Sequence, residues 1–417
     1  MLRIGSGSVG ILGAVVLVTG CGSPTQGPPT SSSAARPSAA SPSSAQPAGP
    51  PAQATPVLAS VIAAPVPVPT TDGKRHLAYE VQLTNVLDGD VTLKSLSVKA
   101  GDTDLLTLSG DRLAYWTRAL GATQTPTTTL GPGRAGVVWL DVVLDESAPV
   151  PTELTHTIVA DLTKPMPPLL PATVTENAVA PVTVSTRQPV QISPPLDGPR
   201  WLDGNSCCDM TAHRMALNPL DGNLWAAERF AVDYVQLSAD GTIFTGDRSA
   251  PRSYPYFGAG IHAVADGPVV AVLDGLPEQV AGQSPTGLPL DQYAGNHVVQ
   301  DIGDGNFALY AHLQTGSVTV KPGDQLSTGQ VIAKLGNSGN TDAPHLHFHV
   351  MSSPDPLRSN GLPFTIKDFT LDGRLASMTA LDPLLAGQPA PMAPGSTRRD
   401  EKDLSPLVLD VMTYAAR

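Results

Sequence analysis

Three of the nine histidines fall within five residues, in Ala343-Pro344-His345-Leu346-His347-Phe348-His349. On a β-strand, their two-residue spacing turns all three imidazoles to one face. Neighbouring imidazoles can supply one metal ligand and one acid or base, so the segment points to a zinc site. A hydrolytic zinc site takes three protein ligands and leaves a position open for water. The metal brings the pKa of that water toward about 7 and polarises the carbonyl under attack. A nearby imidazole can take the proton or stabilise the oxyanion. Here His345 and His347 would come from one strand and His312 from another. Tyr310 lies two residues before His312, so a continuous strand puts both on one face. The best acidic candidate is Asp233, which interrupts the apolar run in Arg229-Phe-Ala-Val-Asp-Tyr-Val235. A buried carboxylate needs a partner, and a cation is the simplest one.

The elements that must position these groups read as short strands. Residues 196–370 hold seven of the nine histidines: His213, His262, His297, His312, His345, His347 and His349. Strands are expected over 261–273, with a turn at Asp266-Gly267, and over 296–302 and 306–312, around Gly303-Asp304-Gly305. Lys321-Pro-Gly-Asp324 has the character of a type II turn. Residues 57–190 form a separate all-β region of alternating strands and Gly/Pro/Asp turns, which suggests a β-sandwich. Its two histidines, His76 and His156, read as structural. His262, which begins a strand, reads the same way. The tail, 371–417, has a charged run from Arg398 to Asp403 and an apolar run from Leu404 to Met412. It is expected as an edge strand or a loose surface extension.

The N-terminus reads as a targeting segment. Residues 1–20 combine Arg3 with the apolar stretch Val9–Val18, too short to span a bilayer comfortably. The sequence Val18-Thr19-Gly20-Cys21 is similar to a bacterial lipobox, which implies a lipidated Cys21 and a membrane anchor on the extracytoplasmic face. Residues 21–56 are dominated by Ser, Pro, Ala, Gly, Thr and Gln and cannot bury enough apolar surface to fold. As polyproline II they would reach on the order of 100 Å, a tether for work away from the membrane.

The whole chain has 417 residues, a net charge of -12, 42 prolines and 39 glycines. Its length accommodates two domains with flanking segments. The acidity excludes nucleic acid as an expected partner, and no basic cluster exceeds Arg398-Arg399. Cys207 and Cys208 are expected as two buried thiols, because adjacent cysteines rarely bridge. A vicinal or intermolecular disulfide stays open.

A set of short motifs occurs in a fixed order: Tyr310-Ala-His312-Leu, Val320-Lys-Pro-Gly-Asp324, Gly329-Gln-Val-Ile332, Gly336-Asn-Ser-Gly339 and Ala343-Pro-His-Leu-His-Phe348. Each is weak alone, but the ordered set resembles the lysostaphin-type (LytM-like) zinc endopeptidases. That resemblance covers about 175 residues, 196–370. It implies an antiparallel β-sheet peptidase domain, Zn2+ as cofactor and peptidoglycan peptides as substrate. By position it makes His312 and His345 catalytic, and His347 and Asp233 metal ligands. His297 and Asn296 lie near where the family's groove runs and become substrate contacts, with Tyr310 beside the site. His349 is expected at the rim or in the outer shell.

The family pattern also places a histidine four residues before the aspartate, and here that position is Arg229. A guanidinium about 5 Å from a divalent cation is repelled by roughly 6–7 kcal/mol at an effective dielectric of ~20. Either Arg229 points away and another residue binds zinc, or the site holds no metal. His213 is the replacement candidate. A five-residue loop centred on Asp221 would set it opposite Arg229, whereas a two-residue Asp-Gly loop would turn it to the wrong face.

Two readings follow. One is a lipid-anchored zinc endopeptidase with His213, Asp233 and His347 on the metal. The other is a metal-free relative that binds peptidoglycan or regulates a partner wall hydrolase. A biotinyl/lipoyl-type carrier is disfavoured, because Lys334 sits inside a strand-like run and not at a tight turn.

Overall fold

Strand Lys74–Asn85 is buried on both faces. Leu77, Tyr79, Val81 and Leu83 alternate into one hydrophobic core. Ala78, on the opposite face, packs with Cys207, Cys208, Phe230 and Leu407, and Glu80 beside it is fully buried. In the computed structural model, which describes residues 52–417, this strand is the seam between two β-regions. The expected signal peptide, Cys21 and most of the tether lie outside the described residues.

The first region is a sandwich of a six-stranded and a five-stranded sheet. Lys74–Asn85 pairs antiparallel with Ala135–Asp145 in the first sheet. The second sheet is built on Val91–Ala100 and Glu153–Leu162. Leucines and valines of both sheets share the core, as period-2 patterning requires. The outer face of Ala135–Asp145 carries Trp139 and Asp141. His76 Nδ1 lies 2.9 Å from both Asp141 oxygens, and His156 Nε2 is 2.8 Å from the Tyr79 hydroxyl. Both histidines are thus held by hydrogen bonds within the sandwich.

The second region is built on a twelve-stranded sheet. Its central order is Gly198–Gly204, Val232–Gln236, Leu346–Met351, Phe307–Ala311, His297–Asp301 and Gly267–Leu273, all antiparallel. The pair Val190–Ile192 and Phe364–Arg374 is parallel. Leu346, Phe348 and Val350 enter the core, where each fully buried large side chain contributes roughly 1.5–3 kcal/mol. His347 and His349 therefore face the other way.

The tail meets its expected form in part: the charged run forms an edge strand, Arg399–Leu404, paired with Phe364–Arg374. Strand Phe364–Arg374 runs across residue 370, and Asp410–Tyr414 is an interior strand between it and Gly198–Gly204. Val411 and Met412 are buried in the core, so the end of the apolar run lies in an inner strand rather than at an edge. Cys207 and Cys208 are joined in a vicinal disulfide, not held as two thiols. Among the described residues no helix is long and apolar enough to cross a membrane.

Candidate metal centre

Register brings the first two groups together. Asp233 pairs directly with His347 across neighbouring strands, and directly opposed residues share a face. His347 Nδ1 lies 3.0 Å from Asp233 Oδ1. His213 Nε2 lies 3.2 Å from Asp233 Oδ2, and the His213 and His347 ring centroids are 4.7 Å apart. One donor atom from each of the three residues lies within 4.8 Å of the others. Ligands bound tetrahedrally at about 2.0–2.2 Å stand roughly 3.4 Å apart, so this donor set fits zinc.

His213 does not arrive by a hairpin. The loop at Asp221-Gly222 is the two-residue kind, with Leu220 opposite Asn223, but His213 lies before that hairpin, in the one-turn helix Ala212–Met215. The Thr211 side chain caps that turn by accepting from the Arg214 backbone N–H. The register argument therefore does not govern His213. Its Nδ1 donates to the Ala231 carbonyl at 2.9 Å, which turns Nε2 toward Asp233. Metal-binding histidines are commonly oriented by such a bond.

Arg229 points away from this centre. Its Nε donates to Glu80 Oε1 at 3.0 Å and its Nη2 to Glu80 Oε2. The expected repulsion is avoided because the guanidinium is buried against the sandwich.

His312 and His345 complete the cluster. Their ring centroids are 4.7 Å apart, and His345 Nε2 is 3.2 Å from Asp233 Oδ1. Carbonyls only accept, so His312 Nδ1 donates to Ser338 O and His345 Nδ1 to Ala343 O, each at 2.8 Å. Each ring therefore presents Nε2 to the cleft. His312, His345 and His347 form a second, overlapping group of possible ligands.

The charges are coupled. Burial opposes ionisation of Asp233, but His213 and His345 outweigh it and hold the carboxyl well below its usual range. Burial lowers the His213 imidazole, yet the Asp233 charge and hydrogen bond raise it to about 9. His345 is raised for the same reason. Burial, then the neighbouring His345 and His347, push His312 well down.

Several expected site residues lie elsewhere. Tyr310 is fully buried in the core, its hydroxyl donating to Gln300 and accepting from the Val264 N–H. The strand ends at Ala311, and His312 takes a left-handed φ of 59°, so the two-residue alternation breaks between them. Asn296 is a buried bracket whose amide bonds Leu276 and Leu313. His297 donates to Gly295 O. None of these three lines the groove of about 380 Å³ over the cluster; Tyr293, Asn340 and Asp342 do.

His349 is not at the rim. It is buried beneath His347, with its Nδ1 3.0 Å from His347 Nε2, and burial first, then His347, hold its ring well below the usual range. Asn205, which sequence reasoning passed over, donates to Asp233 Oδ2 at 2.9 Å. No local pattern marks Asn205; its proximity follows from Gly204 pairing with Asp233.

Residues 254–359 match Peptidase family M23. A stretch of 67 residues is 37% identical to the peptidoglycan DD-endopeptidase ShyA of Vibrio cholerae serotype O1, covering 16% of this chain and 15% of that protein. The catalytic domain of lysostaphin from Staphylococcus simulans aligns with 39% of this chain and 84% of its own, at 20% identity and a TM-score of 0.21. A zinc containing peptidase from Vibrio cholerae aligns with 67% of this chain and 79% of its own, at 15% identity and a TM-score of 0.24. His213, Arg229 and Asp233 precede the matched stretch, which contains His312, His345, His347 and His349. Residues 254–359 thus form a LytM-like domain of peptidase family M23.

Proposed function

We propose that the protein is a zinc metalloendopeptidase that hydrolyses peptide bonds in bacterial peptidoglycan, held at the extracytoplasmic membrane face through a lipid on Cys21. The observation that carries this reading is the placement of His213 Nε2 and His347 Nδ1 about the Asp233 carboxylate. A bound zinc would supply an activated water and polarise the scissile carbonyl. His213, Asp233 and His347 would hold it. The lowered pKa of His312 and its Nδ1 bond to Ser338 leave Nε2 as a free lone pair, suited to take a proton from water. His345, with Nδ1 donating to Ala343 O and Nε2 facing the cleft, is suited in its protonated form to donate to the developing oxyanion or the leaving amine.

The metal-free alternative rested on Arg229, and the Glu80 contact removes that guanidinium from the cluster. Digestion of purified peptidoglycan, followed by release of new amino groups, tests the proposal. The wild type should cleave and lose activity on chelation. A protein that holds zinc but leaves every peptidoglycan peptide intact would refute the endopeptidase reading.

A further inference from the structure

His213 stands on a support that belongs largely to the other domain. Its helix is a single turn, far too short to be stable alone. The next residue, Arg214, is fully buried and runs into the sandwich. Its Nη2 donates to Leu140 O at 3.2 Å, its Nη1 to Cys208 O at 3.1 Å, and its Nε lies 3.7 Å from Glu80 Oε1. The Trp139 indole N–H donates to the Arg214 carbonyl. Glu80 and Trp139 are directly paired on neighbouring strands, both fully buried, on the face away from the sandwich core. Glu80 also holds Arg229. One carboxylate thus keeps one guanidinium out of the metal centre and faces a second that anchors the residue next to His213.

We propose that the β-sandwich is a structural part of the metal centre: Glu80 and Trp139 are positioning residues that hold His213 in place through Arg214 and Arg229. This rests on the zinc reading given above. It explains why the family's histidine can be absent at 229. The arginine there ties the segment to Glu80, and the same docking delivers a histidine from a segment with little support of its own. Without the sandwich contacts, two buried guanidinium groups lose their carboxylate and the turn bearing His213 loses its anchors.

The test compares the wild type with Glu80→Gln, Trp139→Phe and a control, Tyr79→Phe. Tyr79 is adjacent to Glu80 but faces the sandwich core, where it bonds His156. Zinc dissociation constants come from competition with a chromophoric chelator, and apo stabilities from melting in excess EDTA. Glu80→Gln and Trp139→Phe should weaken zinc binding by roughly 10–100-fold, the usual cost of losing an outer-shell partner. Tyr79→Phe should lower the apo Tm and leave the zinc constant unchanged. If Glu80→Gln and Trp139→Phe behave like Tyr79→Phe, their role is structural only and the proposal is overturned. If Glu80→Gln fails to fold, Trp139→Phe alone decides. A wild type that binds no zinc would overturn the functional reading itself, a failure distinct from zinc binding that ignores the sandwich substitutions.

Discussion

Asp233 and His347 face each other across adjacent antiparallel strands, with His347 Nδ1 3.0 Å from Asp233 Oδ1. Beneath them, His349 Nδ1 sits 3.0 Å from His347 Nε2. The His347 ring is therefore fixed at both nitrogens, Nδ1 by Asp233 and Nε2 by His349.

On the proposed zinc reading, that arrangement puts His349 behind a metal ligand, where it holds the His347 ring. His349→Leu fills the buried site with an apolar side chain and removes the nitrogen that faces His347. Zinc affinity should fall by about 10–100-fold while the protein stays folded. Equal affinity in wild type and variant would remove His349 from the centre's support.

His312 and His345 are assigned to proton transfer rather than to metal binding. Each alanine substitution should cost roughly 10²–10⁴-fold in kcat with zinc content unchanged. Loss of zinc in His312→Ala would instead favour the overlapping group His312, His345 and His347.

Gly295 supports His312 indirectly. Its φ is +63°, and an added Cβ would collide with the Ser338 carbonyl, the group that accepts from His312 Nδ1. Gly295→Ala should destabilise the fold by more than about 1 kcal/mol and lower kcat. Denaturant midpoints and turnover measure both effects, and an unchanged midpoint would contradict the close approach.

His76 gives stability a pH dependence of its own. Burial disfavours the charged ring, but hydrogen bonds and charges of Asp141 and Asp72 outweigh it and raise the pKa from 6.5 to about 9. A pKa raised on folding means the native state holds the proton more tightly. The stabilisation is complete below pH 6.5 and is lost as pH rises through about 9. The Tm should fall more steeply across that window in the wild type than in His76→Gln. Parallel curves would argue against a charged His76. Glu176, pushed up to about 7 by burial, acts mainly in a lower window.

Much of this was legible because strand alternation is a local signal. The spacing of His345, His347 and His349 gave their shared face, and the apolar interruption at Asp233 gave the acidic group. What failed depended on distant or irregular backbone. Tyr310 was misplaced because the left-handed residue at 312 ends the alternation. The route of His213 is not legible in the sequence, because a one-turn helix carries no periodicity. Alternation puts Glu80 on the face away from the sandwich core but does not name its partner, since Arg229 lies 149 residues away. The inner place of Asp410–Tyr414 is not legible, because sequence shows apolarity but not neighbours.

The replacement of the family's histidine by His213 is the central claim, and metal analysis of the purified protein tests it most directly. Zinc is measured in the wild type beside His213→Ala after equilibration with one equivalent of metal and removal of the excess. About one zinc per chain is expected in the wild type, with a clear loss in the variant. Full retention in His213→Ala, or less than about a tenth of an equivalent in the wild type, would contradict it.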